Sequence, residues 1–160
     1  MAKRSGRPGR AYEPKPLDAV DLQILTELQR DGRASLAELG RRVSLSAPAV
    51  AERVQRLEET GVITGYHATV DPVALGFPIT ILVRVRPNPR ELSRIPKIAD
   101  EVPQITECHR ITGDDCFFFL AHLRRVEELE PILDRFTPYA RTTTSILQSS
   151  PVPPRPLPFT

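Results

Sequence analysis

The stretch LSAPAVAERVQRLEETGVITGY, Leu45 to Tyr66, decides how this chain is read. Val50, Val54 and Leu57 recur at the spacing of one helical face. Ser46 is placed as an N-cap, and Pro48 falls in the first turn, where a missing N–H costs little. Gly61 supplies a left-handed stop, and Val62 beyond it can pack on Leu57. The start of this helix is unusually bare: Ala47, Ala49 and Ala51 offer almost no side chain. Arg53 and Arg56 lie on a different face from the valines. A short helix with a smooth N-terminal end and two arginines is shaped to approach a polyanion.

Two further helical segments precede it. Leu17, Val20, Ile24, Leu25 and Leu28 repeat at helical spacing, with Asp18 as the N-cap, Asp21 in the first turn and Gly32 as the stop. Ser35 and Glu38 form a capping-box pattern that opens a helix running to about Val43. Three residues separate that helix from the third. This is helix-turn-helix arithmetic, in which the last helix enters the major groove N-terminal end first. Ala47, Pro48 and Ala49 permit close approach, and Ser46 and the free N–H groups beside it suit a phosphate. Arg53 is the candidate for a base edge, with Glu52 beside it, and Arg56 for a phosphate. The alternative is a solvated face on which Glu52 pairs with Arg56 at i+4.

The 160 residues suffice for one good core or two small ones, and the net charge is only +2. Local charge is more informative. Lys3, Arg4, Arg7 and Arg10 occur among the first ten residues without an acid, which reads as a basic arm over residues 1–16 or as a solvated tail. GRPGR, Gly6 to Arg10, resembles the core of an AT-hook, a minor-groove peptide. No apolar run approaches the ~18 residues of a membrane span, and no secretory signal opens the chain. A cytoplasmic, nucleoid-associated protein is expected, with no membrane partner.

After residue 62 the period changes. Residues 63–77 read as a strand linker, in which residues 63–71 are a strand or an extended connector and the stretch from Asp71-Pro72 to Pro78 is a loop, and Ile79–Pro87 reads as a strand. Glu91–Glu101 looks helical, with Pro96 forcing a break or a late start. QITECHRIT and CFFFLAHL form a hairpin about a GDD turn, which sets Cys108 opposite residue 119 or 120 and both thiols in structural, buried positions. Val126–Phe136 is a helix shifted or kinked by Pro131, and Thr142–Gln148 a last strand. The order over residues 78–148 is β-α-β-β-α-β, the ferredoxin-like arrangement. One sheet face must be left for a partner chain, because an open apolar face aggregates. Residues 149–160 hold five prolines in the last ten and read as an extended tail, either a free end or a P-x-x-P ligand.

The pattern LD..D..IL..LQ.DGR.S..EL...V.LS...V..R...LE..GVI.GY.A..D, continued by ITECHRITGDD and RTTTSI, resembles the feast/famine regulators, the Lrp/AsnC family, from about Leu17 to Leu147. The resemblance implies an α+β protein: a helix-turn-helix, winged-helix-like domain over residues 17–62 joined to a ferredoxin-like effector-sensing domain. It implies double-stranded DNA as partner, a homodimer that assembles further, and a small effector such as an amino acid. The effector residues it implies are Thr112, Gly113 and Asp114 at the hairpin, facing Thr142, Thr144 and Ser145 of neighbouring subunits. Three positions depart from the family. Ser44 stands where Gly is usual, which costs ~1 kcal/mol if the backbone is left-handed. Asp114-Asp115-Cys116 replaces an Asp-aromatic-Asp run, and Tyr139 a glycine, both near the effector pocket.

No catalytic residues, metal ligands or cofactor are expected, since His67, His109 and His122 lack ligand spacing and neither cysteine has an evident His partner. Two alternatives stay open. One is a siroheme-decarboxylase-like enzyme of the same superfamily, with His109 or His122 on the tetrapyrrole. The other is a DNA-organising protein that needs no effector.

Overall fold

The computed structural model describes residues 16–158, so the basic arm with Lys3, Arg4, Arg7 and Arg10 lies outside the described residues. The chain divides into two compact units: one runs up to Ala68 and takes in the tail from Pro154, and the other is Thr69–Pro153.

The first unit holds α1 (Ala19–Arg30), α2 (Leu36–Val43) and α3 (Ala47–Glu59). Each starts where the sequence places a cap. Asp18 and Asp21 form a reciprocal capping box on α1, with Asp21 N–H donating to Asp18 Oδ1 at 2.8 Å and Asp18 N–H to Asp21 Oδ2 at 3.2 Å. On α2 only half of the expected box forms. Ser35 Oγ accepts from Glu38 N–H at 3.2 Å, but the Glu38 carboxylate is drawn away to Arg42, a stronger partner than a backbone N–H. Ile24, Leu25, Leu39, Val43, Val50, Val54 and Leu57 form the core, with Val62 packed against it. The N–H groups of Val62 and Ile63 return to Leu57 O at 2.9 and 3.0 Å around Gly61, whose φ is +71°.

The turn between α2 and α3 depends on two small residues. Ser44 is left-handed, with φ 57° and ψ 40°. Gly40 is buried inside α2, and a Cβ there would stand 2.5 Å from Leu45 O. Leu45 N–H donates to Gly40 O at 2.9 Å, so the chain doubles back against the α2 backbone where a side chain would block it. Sequence reasoning misses Gly40. Its signal is a glycine inside a helix, where it costs about 1 kcal/mol against Ala unless packing demands it.

The second unit holds β1 (Ile79–Pro87), α4 (Ile95–Asp100), β2 (Ile105–Arg110), β3 (Phe117–Leu123), a 3₁₀ turn (Val126–Glu128), α5 (Leu129–Asp134) and β4 (Ala140–Ile146). The sheet is antiparallel in the order β2-β3-β1-β4, the ferredoxin-like order. Both prolines act as their sequence positions predict: Pro96 delays α4 into its first turn, and Pro131 confines α5 to a short helix after a 3₁₀ start. Ile81, Val83, Val85, Phe117, Phe119, Ala121 and Leu123 face the helices and are buried, with the Phe119 and Phe136 rings 5.1 Å apart.

Of the two readings of residues 63–71, the structure has the extended connector: residues 64–71 carry no regular element, because an extended segment becomes a strand only beside a partner ladder, and none pairs with it among the described residues. Two expectations change. Cys108 does lie opposite Phe119, but it is exposed and Cys116 only half-buried, since β2 is an edge strand with little helix cover. The proline tail forms no regular element, and it is not wholly free: Leu157 N–H donates to Gln29 Oε1 at 3.0 Å, and from Pro154 onward it groups with the helical unit.

The α2–α3 turn yields a paired expectation. Ser44→Gly raises stability by about 0.5–1 kcal/mol by relieving a left-handed side chain. Gly40→Ala lowers it, although Ala is the better helix former, because the added methyl meets a backbone carbonyl. Urea midpoints of the helical unit, followed by far-ultraviolet circular dichroism, should move in opposite directions.

Candidate nucleic-acid interface

The candidate reading helix is presented by charge as well as by apolar packing. Asp21 is 1% exposed, and it is the buried charged side chain of the helical unit's core. Arg53 Nη1 donates to Asp21 Oδ1 at 2.8 Å and to Asp18 Oδ2 at 2.6 Å, while Arg56 Nη2 donates to Asp21 Oδ2 at 2.6 Å. Two guanidinium groups of α3 are thereby locked to the first turn of α1. Both Asp21 oxygens are used, as burial of a carboxylate requires. The Asp21 backbone N–H and then Arg53 hold the Asp18 carboxyl below its ordinary value, and the paired carboxylates Asp18 and Asp21 raise Arg53 in turn.

Sequence spacing sends Arg53 to a base edge; in this structure it turns to α1 and is 28% exposed. The alternative Glu52–Arg56 pair does not form either, because Asp21 takes Arg56. Arg56 remains 54% exposed, so one nitrogen is held and the others stay open to an outside acceptor. The signal available in the sequence is the pair Asp18 and Asp21 itself: capping accounts for both, and the second role appears only when α3 packs beside them.

The remaining interface residues lie at the helix start. Ser46, Pro48 and Glu52 are exposed, and Ala47 and Ala49 are half-buried. Ser46 Oγ accepts from Ala49 N–H at 3.4 Å, a long bond that leaves its hydroxyl proton free to donate elsewhere. Arg33 and Arg41 are exposed and form no ion pair among the described residues, whereas Arg42 is held by Glu27 and Glu38. Past α3, Tyr66 Oη donates to Glu58 at 2.9 Å, and burial together with that carboxylate pushes the phenol up to about 12.

In the second unit the six expected effector residues do not meet within one chain. Thr112, Gly113 and Asp114 form the exposed β2–β3 hairpin, with Gly113 at φ +106°. Asp115 beside them reaches Arg84 at 3.5 Å. β4 lies beyond β1 from β3, and the strand period splits its residues: Thr142 and Thr144 are half-buried, while Ser145 is exposed on the other face. Thr142 lines a shallow groove of about 390 Å³ with Val126, Leu129, Leu133 and Thr137. His122 Nδ1 lies 3.0 Å from Thr80 Oγ1, and His109 stacks on Phe118 at 4.9 Å with Nε2 3.0 Å from Glu107. Each of these two histidines thus has a structural partner. Among the described residues no three His, Cys, Asp or Glu side chains group as metal ligands, and no helix is long and apolar enough to cross a membrane.

Two outcomes test the ionic clamp. Asp21→Ala leaves Arg56 without its partner and Arg53 with Asp18 alone, and costs about 1–3 kcal/mol, measured as loss of the helical unit's urea stability. Asp18 contributes stability above its ordinary value of 3.8, and the contribution disappears as pH falls through its lower folded value. Wild type and Asp18→Asn should therefore differ in stability at about pH 6 and converge toward about pH 2.

Comparison with known proteins agrees with this architecture. Residues 17–58 match the AsnC-type helix-turn-helix domain, and residues 80–157 the Lrp/AsnC ligand binding domain. The chain is 36% identical over 133 residues to the HTH-type transcriptional regulator LrpC of Bacillus subtilis, covering 83% of this chain and 92% of the relative. The solved structure of B. subtilis LrpC superposes with a TM-score of 0.81 at 35% identity, covering 85% of this chain and 97% of the other. A feast or famine regulatory protein from M. tuberculosis, solved as a complex with L-methionine, superposes with a TM-score of 0.81 at 30% identity, covering 89% of this chain and 99% of that one. These relatives are regulators, which decides against the decarboxylase alternative. Three capped helices, one buried ion clamp and a ferredoxin-like sheet thus belong to a DNA-binding transcriptional regulator with a ligand-binding domain, a member of the Lrp/AsnC family.

Proposed function

We propose that this regulator binds pseudo-palindromic operators as a homodimer that assembles further in the cytoplasm and on the nucleoid, and that an amino-acid effector biases the assembly. The observation that carries the DNA contact is the bare start of α3. Small Ala47 and Ala49 follow an exposed Ser46, whose hydroxyl proton is free to donate at the positive end of the α3 dipole. Ser46 and the open nitrogens of Arg56 take phosphates, and Arg33 and Arg41 add to them. Arg53 serves as a strut. Lys3, Arg4, Arg7 and Arg10 neutralise further phosphates along the duplex.

The second copy is assigned to the sheet face that the helices leave uncovered. Leu82, Phe118 and Leu120 stand there, only half-buried within one chain, with Leu82 and Leu120 directly paired in register. Thr112, Gly113 and Asp114 of one subunit and Thr142, Thr144 and Ser145 of others form the effector site. The separation of these two groups within one chain supports a site shared between chains. The L-methionine complex of the M. tuberculosis relative supports an amino acid as the ligand class.

Hydroxyl-radical footprinting of DNA upstream of the protein's own gene tests the reading. Two protected patches about one helical turn apart are expected. L-methionine or another amino acid of a twenty-member panel should change their spacing or extent. No protection at low salt overturns DNA reading, and indifference to the whole panel overturns amino-acid sensing. Replacing Lys3, Arg4, Arg7 and Arg10 by Ala should weaken all duplexes alike and lower the salt slope by about 0.9 for each phosphate no longer neutralised. Leu120→Asp should yield monomers in sedimentation, and an unchanged mass would remove the sheet face from the dimer.

A further inference from the structure

We infer that sequence is read through a carboxylate and an amide, Glu52 and Gln55, rather than through arginine. The inference rests on α3 being the reading helix, and it assigns the base classes that helix selects. The polar side chains of α3 can be taken in turn. Arg53 and Arg56 are turned toward α1 by Asp18 and Asp21. Glu58 accepts from Tyr66. Glu59 accepts from Gln55 Nε2 at 2.8 Å. Glu52 has no hydrogen-bond partner among the described residues, and Gln55 keeps its carbonyl and one amide hydrogen unspent. Pro48, Glu52, Gln55 and Glu59 are all exposed and recur at i, i+4, i+7 and i+11, which is the stripe opposite Val50, Val54 and Leu57. A helix laid in the groove with its core side against the protein presents this stripe to the bases.

The two groups select by different chemistry. An ionised carboxylate only accepts, and in the major groove the amino group of cytosine, N4, is its matched donor. Against guanine or thymine it faces acceptor atoms, N7 and O6 or O4, with the phosphates around it, so Glu52 acts chiefly by exclusion. An amide both donates and accepts, and it matches the N7 and N6 of adenine. Glu59 already fixes one amide hydrogen of Gln55, which orients the remaining donor and acceptor together. Glu52 and Gln55 are three residues apart, a rise of about 4.5 Å, which lies between one and two base-pair steps of about 3.4 Å. Each half-site should therefore carry a C·G pair one or two steps from an A·T pair.

Selection of duplexes from a random pool by full-length wild type, Glu52→Ala and Gln55→Ala tests this. Both substitutions are on the exposed stripe, so folding is preserved. Wild type should enrich cytosine and adenine columns one or two steps apart. Glu52→Ala should lose the cytosine column alone, by about tenfold in relative affinity, while binding the disfavoured bases more tightly than wild type does. Gln55→Ala should lose the adenine column alone. Substituting N4-methylcytosine in the selected site should weaken wild type and leave Glu52→Ala unaffected. Enrichment by wild type with the same columns in both variants overturns this inference alone. No enrichment by wild type overturns α3 as the reading helix, and the inference with it.

Discussion

A carboxylate with almost no access to water holds the helical unit in its working form. Asp21 closes the capping box of α1 through Oδ2, which also accepts from Arg56 of α3, while Oδ1 accepts from Arg53. A buried charge is tolerated only when its hydrogen-bonding capacity is filled, so the clamp specifies the angle between the two helices as firmly as the apolar contacts do. Val50, Val54 and Leu57 could slide against Ile24 and Leu25 with modest loss. The two guanidinium groups could not follow without leaving an unpaired anion. The bare start of α3 is therefore held at a defined attitude by chemistry located on its flank.

That arrangement has a consequence for charge. The outward stripe of α3 carries Glu52, Gln55 and Glu59, while its cations are drawn inward. Beside the helix, Arg33 and Arg41 are exposed and Arg56 is half-open. In the reading proposed above, affinity and discrimination are separated, with phosphates assigned to peripheral cations and bases to an acceptor and an amide.

The second unit obeys a different constraint. Its helices cover one face of a four-stranded sheet, and strand alternation commits Ile81, Val83, Val85, Phe117 and Phe119 to that side. The same alternation places Leu82, Phe118 and Leu120 on the other side, where no helix among the described residues covers them and they stay half-buried. It also divides Thr142 and Thr144 from Ser145, so one strand serves both the interior and the outer face.

Short-range physics made most of the fold legible in the sequence. The caps Asp18, Ser35 and Ser46, the stop at Gly61, the late start at Pro96, the shift at Pro131 and the hairpin that sets Cys108 against Phe119 all follow from neighbouring residues, because capping, proline geometry and strand period act within a few positions. The family pattern added the DNA-binding and ligand-binding roles. What only tertiary structure decided involves partners distant along the chain. The ion pair of Arg53 joins it to Asp21, thirty-two positions away, which spacing along one helix does not show. Gly40 looked incidental until the chain doubled back onto it, and the linker carries no regular element because nothing pairs with it among the described residues. Sequence spacing tells which face a side chain occupies, but what stands across from that face depends on how elements pack.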